Sequence, residues 1–155
     1  MLKSIEGNFD NPEVNELLTK HFVELRAASP EGSAHVLDIP GLKVPSIKFW
    51  SLWDDEKLIG CGALKFLDKE HGEFKSIRIH DNFRMKGQGI NVINHLINKA
   101  KKLKIKRISI ETGAGDFFIP ARKLFKKTGF TVCEPFAHYK EDINSVYLTM
   151  LIDNI

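Results

Sequence analysis

Residues 73–111 constrain the fold of this chain more than any other stretch. Glu73-Phe74-Lys75-Ser76-Ile77-Arg78-Ile79 reads as a strand and Arg84-Met85-Lys86-Gly87-Gln88-Gly89-Ile90 as a glycine turn. Ile90, Ile93, Leu96, Ile97, Ala100 and Leu103 then recur at three- and four-residue steps, the stripe of an amphipathic helix, and Arg107-Ile108-Ser109-Ile110-Glu111 is a second strand. Strand, helix and strand in that order imply a parallel crossover, with the helix lying on one face of a sheet.

The turn inside the crossover carries chemistry. Two glycines one residue apart let the backbone turn sharply and approach a ligand without Cβ interference. The helix behind them opens with unpaired N–H groups and a positive dipole end, which suits an anion such as pyrophosphate; Arg84 and Lys86 add positive charge. Two familiar phosphate loops fail on spacing. The dinucleotide fingerprint needs a third glycine and an acidic residue about 20 positions on, where this chain has Val92 and Arg107-Ile108-Ser109. The P-loop needs Gly-Lys-Ser or Gly-Lys-Thr, and here Gly89 is followed by Ile90-Asn91.

The flanking sequence supplies the rest of a sheet. Leu2 to Glu6 is a first strand. Asp10-Asn11-Pro12-Glu13 opens a helix striped by Val14, Leu17, Leu18, Phe22 and Leu25, which Ser29-Pro30-Glu31-Gly32 ends. Ala34 to Ile39 is expected as a second short helix, with Pro40-Gly41 and Pro45 in a loop. Ile47 to Trp53 and Leu58 to Phe66, joined by Asp54-Asp55-Glu56-Lys57, form a meander with the strand at 73–79. A helix from about Phe117 to Lys127 ends at Gly129 as C-cap, and Phe130–Cys133 and Val146–Ile152 are further strands. With 155 residues, 43% of them apolar and 28% charged, the chain is expected to be one mixed α/β domain spanning 1–155.

The pattern Arg/Gln-x-x-Gly-x-Gly/Ala resembles motif A of the GCN5-related N-acetyltransferases, the GNAT family. Ala121-Arg122-Lys123-Leu124-Phe125-Lys126-Lys127-Thr128-Gly129-Phe130 resembles that family's Ala-x-x-Leu-Tyr-x-x-x-Gly-Phe element, and it stands in the expected place downstream. Gly60-Cys61-Gly62-Ala63-Leu64-Lys65, Gly72 to Ser76, Glu111-Thr112-Gly113 and Cys133-x-Pro135-Phe136-x-x-Tyr139 look like a bacterial subgroup of small acetyltransferases. The resemblance implies a central, mostly antiparallel twisted sheet containing one parallel, splayed strand pair, with helices on both faces.

It also implies acetyl-coenzyme A as co-substrate, no metal, and transfer of the acetyl group to a primary amine of a small molecule or peptide. By the same resemblance, backbone N–H groups of Lys86, Gly87, Gln88, Gly89 and Ile90 hold the pyrophosphate with Arg84 nearby. The strand edge at Ile77 and Ile79 binds the pantetheine arm. Glu73 is the first candidate for the base that accepts the amine proton, and Glu111, at the end of the other splayed strand, is the second. Each also has a plain structural reading: Glu73 as partner of Lys75, Glu111 as a cap on the turn that follows it.

The chain departs from the family where tyrosine usually supplies a proton, because Phe125 stands there, and Phe118 replaces a frequent asparagine. Tyr139 is the expected substitute acid, or else a packed loop aromatic. The losses keep a second class in view, an acyl-coenzyme A binding or sensing module with weak or lost catalysis.

Other features read as structural. Cys61 and Cys133 lack metal spacing and suit core packing, His80 suits a surface turn, and of Trp50, Trp53, Phe117, Phe118 and Phe136 one or two are expected to touch substrate. Lys99, Lys101, Lys102, Lys104, Lys106 and Arg107 hold much of a net charge of +3. They suit a helix C-terminus, and with no interleaved aromatics nucleic acid is not expected as a partner. With no apolar span of membrane length and no signal segment near Met1, a cytoplasmic location is expected and a membrane partner is not. A homodimer is an open assembly.

Overall fold

The computed structural model describes residues 1–152; positions 153–155 of the expected domain lie outside the described residues. In chain order the elements are β1 (Lys3–Glu6), α1 (Pro12–Ala28), α2 (Ile39–Leu42), β2 (Ile47–Asp54), β3 (Lys57–Phe66), β4 (His71–Ile79), α3 (Gln88–Lys102), β5 (Arg107–Gly113), α4 (Ile119–Lys127), β6 (Thr131–Val132) and β7 (Ser145–Leu151). Short 3-10 turns at Asp81–Phe83 and Asp116–Phe118 precede α3 and α4.

The strands form one sheet in the order β1-β2-β3-β4-β5-β7-β6, antiparallel throughout except for the β4–β5 pair. That pair is the expected crossover, and it is splayed. Its parallel pairing runs from His71↔Arg107 to Glu73↔Ser109 and stops, while β4 continues to Ile79 and β5 to Gly113. A wedge therefore opens between the two strands toward their C-terminal ends.

Two apolar layers sandwich the sheet. On one face, Val92, Ile93, Leu96, Ile97 and Ala100 of α3 and Phe125 of α4 pack with Phe74, Ile108, Ile110, Phe130 and Leu148. On the other, Val14, Leu17 and Leu18 of α1 and Leu42 of α2 pack with Phe49, Leu58, Cys61 and Ala63. The α1 stripe follows from its spacing, and Asn11 fixes the start of the helix: its side chain accepts from the N–H groups of Glu13 at 2.9 Å and Val14 at 3.2 Å.

Local structure departs from the sequence reading in four places. Residues 34–38 are irregular, and the helix there is α2, beginning at Ile39. Pro40 lacks an N–H and fits the first turn of a helix, so it starts one, capped by Asp38 Oδ1 accepting from Gly41 N at 2.8 Å. The expected helix from Phe117 begins two residues later, after the 3-10 turn. The strand expected at Phe130–Cys133 narrows to β6. Phe130 N–H closes the end of α4 on Phe125 O at 3.1 Å, with Gly129 at φ +113, while Cys133 N–H still reaches Tyr147 O at 2.8 Å.

The fourth departure matters for the site. β4 carries a bulge, because Cys61 pairs with Arg78 but Ala63 with Lys75, so β4 has one residue more than β3. Ser76 takes it up in the left-handed region at φ +53. Phe74, Ile77 and Ile79 therefore all meet the α3 layer, where strict alternation would have sent Ser76 and Arg78 inward.

Candidate active site

The glycine turn is built as an anion cradle, with its two glycines used for different reasons. Gly87 is the N-cap of α3 at φ +80, and a Cβ there meets nothing within 4 Å, so the position needs conformational freedom rather than space. Gly89 is the reverse: a Cβ would lie 2.7 Å from Leu124 Cδ2, so its bareness lets α3 sit close to α4. No side chain caps α3, which leaves its first N–H groups directed out of the turn. Those amides belong to the residues expected to hold pyrophosphate, Gly87, Gln88, Gly89 and Ile90, with Lys86 just before them.

Arg84 is tied back. Its Nε donates to Ile79 O at 3.3 Å and lies 3.3 Å from Asp81 Oδ1. Asp81 also receives Arg78 at 3.2 Å and Lys20 from α1, and these cations hold its carboxyl below the usual range, the Lys20 hydrogen bond foremost. His80 caps the 3-10 turn, its Nδ1 accepting from Asn82 N at 3.2 Å, in keeping with a turn residue. Of the two strand-edge residues, the Ile79 carbonyl is thus engaged by Arg84, and Ile77 lies in the unpaired part of β4.

On the face of the sheet away from α3, the wedge is lined by polar groups that the sequence scatters over 75 residues. Glu73 is 1% exposed; its Oε2 accepts from the Tyr139 hydroxyl at 2.6 Å and pairs with Lys75 Nζ at 3.3 Å, while its Oε1 has no partner among the described residues. Lys75 also donates to the Tyr139 hydroxyl at 3.1 Å, so protons point along a chain from Lys75 to Tyr139 to Glu73. Burial first, then the Glu73 charge, pushes the Tyr139 phenol well above its ordinary value. The plain structural reading of Glu73, as partner of Lys75, is seen directly, with the Tyr139 hydroxyl added beside it. The Tyr139 proton is committed to Glu73.

Glu111 stands differently. Ser145 Oγ donates to its Oε2 at 2.8 Å, and burial raises its carboxyl to about 7, against the lowering effects of Ser145 and Lys75. It does not cap the following turn through any bond described. A carboxyl near 7 is half ionised at neutral pH, which suits proton transfer.

A lid covers this face. Phe136 and Tyr139 pack edge to face at 5.1 Å, and Tyr147 sends its hydroxyl to Lys140 O at 2.6 Å. His35 meets the Tyr139 ring at 5.0 Å and His138 stacks on it at 4.6 Å. Ser33 Oγ donates to Asp142 Oδ2 at 2.8 Å and joins the two covering segments. Of the five aromatics named from sequence, only Phe136 reaches this cluster. Trp50 and Phe118 are buried in the core, Trp53 donates to Ser51 Oγ at 2.9 Å, and Phe117 is exposed. Phe125 is buried against Phe130, with ring centroids 6.0 Å apart, and has no proton to give. Cys61 is buried and its thiol pushed up to about 12, as fits core packing.

Sequence reasoning underused Lys75, which enters there only as a possible partner of Glu73. Its place two residues along a strand, hence on the same face, was the available signal. His35, Ser145 and Tyr147 reach the site from distant segments with no local signature. The basic cluster ends α3, where Lys99, Lys101 and Lys102 fill the last turn, and Lys106 pairs with Glu70 at 2.7 Å. Among the described residues no helix is long and apolar enough to cross a membrane, and no group of three His, Cys, Asp or Glu side chains is placed to hold a metal ion.

Comparison with known proteins agrees with this architecture. The family model described as the acetyltransferase (GNAT) family matches residues 12–130. The uncharacterized N-acetyltransferase YsnE of Bacillus subtilis (strain 168) is 45% identical over 137 residues, 88% of this chain and 91% of that protein. Among solved structures, a GNAT family acetyltransferase from Staphylococcus aureus superposes with a TM-score of 0.71 at 18% identity, covering 99% of this chain and 100% of the other. The Campylobacter jejuni N-acetyltransferase PseH in complex with acetyl coenzyme A does so with a TM-score of 0.68 at 22% identity, again covering 99% and 100%. At those identities the structures speak for the fold, and the family model together with YsnE speaks for descent: this chain belongs to the GNAT acetyltransferase family.

Proposed function

We propose that the chain moves an acetyl group from acetyl-coenzyme A to a primary amine of a small molecule or peptide, by direct attack within the β4–β5 wedge. One observation carries the reading: the wedge has an uncapped, left-handed glycine turn at one end and a half-buried carboxyl poised near 7 on its wall. The amides of Gly87 to Ile90, with Lys86 and Arg84 beside them, would take the pyrophosphate. The unpaired edge of β4 around Ile77 would take the pantetheine arm, which places the thioester between the strands. The pyrophosphate-bearing ligand of the PseH complex fits the same assignment.

Attack requires a neutral amine, so a base must accept a proton. Glu111 is best placed for it, being near 7 and held by a single serine, whereas Glu73 is occupied by Tyr139 and Lys75. Glu73 and Tyr139 then shape the acceptor side of the wedge. Incubation with acetyl-coenzyme A and a panel of amines, with free thiol as readout, tests this. Turnover is expected, with kcat reduced at least about a hundredfold in Glu111→Gln. Turnover unchanged in Glu111→Gln removes the assigned base, and turnover unchanged in Glu73→Gln as well removes the carboxylates of the wedge from that role altogether.

A second reading, a module that binds or senses acyl-coenzyme A, is favoured by one observation: the buried phenyl ring of Phe125 offers the leaving sulfur no proton. Tight binding of coenzyme A without turnover on any amine would decide for it.

A further inference from the structure

Transfer out of a thioester needs a positive or proton-bearing group beside the sulfur, because the departing thiolate carries a full negative charge. The walls of the wedge offer few. Glu73 and Glu111 are acids, the Tyr139 proton is held by Glu73, and the His71 ring is bound to Ser109 Oγ at 2.7 Å. Arg107 lies at the closed end, paired to Thr149 Oγ1 at 3.0 Å. Phe118 and Phe125 are apolar and buried.

Lys75 remains. It sits two residues beyond Glu73, the last β4 residue paired to β5, so its backbone lies where the strands part. Continuing the same register would set it opposite Glu111, whose carboxyl feels its charge. Its side chain is 10% exposed, and two of its three N–H donors are used, at 3.3 Å by Glu73 and at 3.1 Å by the Tyr139 hydroxyl. Glu73 and Tyr139 thereby hold the ammonium where the wedge begins to open, with one donor left for a ligand. Resting on the transfer reading above, we propose that Lys75 is a catalytic residue: it receives the coenzyme A thiolate as it leaves and returns it as the thiol.

The step balances. The amine nitrogen forms the new C–N bond while the C–S bond breaks and its electron pair stays on sulfur. The amine proton passes to Glu111 and the thiolate takes a proton from the Lys75 ammonium, giving the amide and coenzyme A thiol. Transfer of the proton from the Glu111 carboxyl to the Lys75 amine across the wedge restores both groups. Glu73 and Tyr139 act as positioning residues for Lys75, and His35, His138 and Tyr147 border the Tyr139 ring on the lid side.

The test reads the sulfur directly and needs no acceptor. The thiol of free coenzyme A bound to the protein is titrated by the ultraviolet absorbance of its thiolate, for the natural chain, Lys75→Met and Lys75→Arg. The bound thiol is expected to ionise about one pH unit or more below coenzyme A in solution. Lys75→Arg should keep the lowering and Lys75→Met should lose it. With acetyl-coenzyme A, Lys75→Met should lose about a hundredfold in kcat with KM for the thioester within about threefold.

A bound thiol that titrates in the natural chain no lower than in solution overturns the proposal whatever the variants do, as does an equal lowering in Lys75→Met. A protein that fails to bind coenzyme A overturns it together with the transfer reading. A lowering that depends on Lys75, with no transfer to any amine, defeats the transfer reading and the catalytic role with it and leaves Lys75 only as a thiolate-binding group. Turnover with an unshifted thiol overturns the proposal and leaves the transfer reading standing.

Discussion

A carboxyl held near 7 inside a protein is a stored cost, and at Glu111 the cost and the proposed activity point in opposite directions. Burial raises this group from an ordinary value near 4.5 to about 7, so the folded chain holds its proton more tightly than the unfolded one. The stability gained from that proton is complete below about pH 4.5 and gone once the pH has passed about 7. Glu111→Gln keeps the neutral form at every pH. It should therefore be more stable than the natural chain at pH 8 by about 2 kcal/mol, after allowance for a carboxyl that solvent still partly screens, and equal to it at pH 4. Its rate should fall, and the inflection near pH 7 in the natural pH–rate profile should vanish. Urea unfolding at the two pH values checks the first part and initial rates the second. A variant that loses stability at pH 8 would show that Glu111 is a structural acceptor for Ser145 rather than a poised base.

At the level of elements, the two glycines of the turn make separable predictions. Gly87→Ala puts a side chain at φ +80, which costs about 1–2 kcal/mol because the left-handed conformation crowds Cβ against the following carbonyl. Gly89→Ala instead drives a methyl against Leu124 at the α3–α4 contact, and overpacking of this kind costs about 1–3 kcal/mol. Leu124→Ala in the same chain should return part of that loss for Gly89→Ala and none for Gly87→Ala, as a double-mutant cycle of unfolding free energies will show. Equal rescue of both variants would contradict the division.

The turn was readable from sequence because glycine spacing and a helical stripe are local signals, and so were most of the strands. The difference in what each glycine does was not, since Leu124 lies 35 positions away in the chain. The β4 bulge left a trace, apolar residues at 74, 77 and 79 where a regular strand would repeat every second position, but a broken period reads equally as noise until β3 sets the register. The helix expected at 34–39 lies instead at Ile39–Leu42, because a proline is compatible both with ending a segment and with the first turn of a helix, and the Asp38 cap decides for the second. Glu73, Glu111 and Tyr139 were recognisable as chemical types, but their division of labour depends on who donates to whom, and that is fixed only when the lid, β5 and β7 come together.

The molecule as a whole binds its anion turn to both apolar layers. α3 anchors the turn in one layer, and Asp81 ties it to the other by gathering Lys20 of α1, Arg78 of β4 and Arg84 of the turn itself. Arg78 reaches Glu24 of α1 at 3.0 Å as well, so the end of β4 is clamped to α1 by two acids. A ligand that fills the turn should therefore stabilise every part of the fold together. Coenzyme A at about a hundred times its Kd should add about 2.7 kcal/mol and raise the midpoint of thermal unfolding by roughly 5–10 °C. Trp50 and Trp53 lie on β2, on the far side of β3 from the wedge, and their fluorescence should report the same rise as far-ultraviolet circular dichroism of the helices. Asp81→Asn releases Lys20 and Arg84 from their shared acid but leaves Arg78 with Glu24. It should shrink the coenzyme A shift while keeping a single transition. Two transitions in the natural chain, or a ligand shift seen by the helices and not by the tryptophans, would mean that the sheet does not carry the coupling and that the α1 clamp is a local contact.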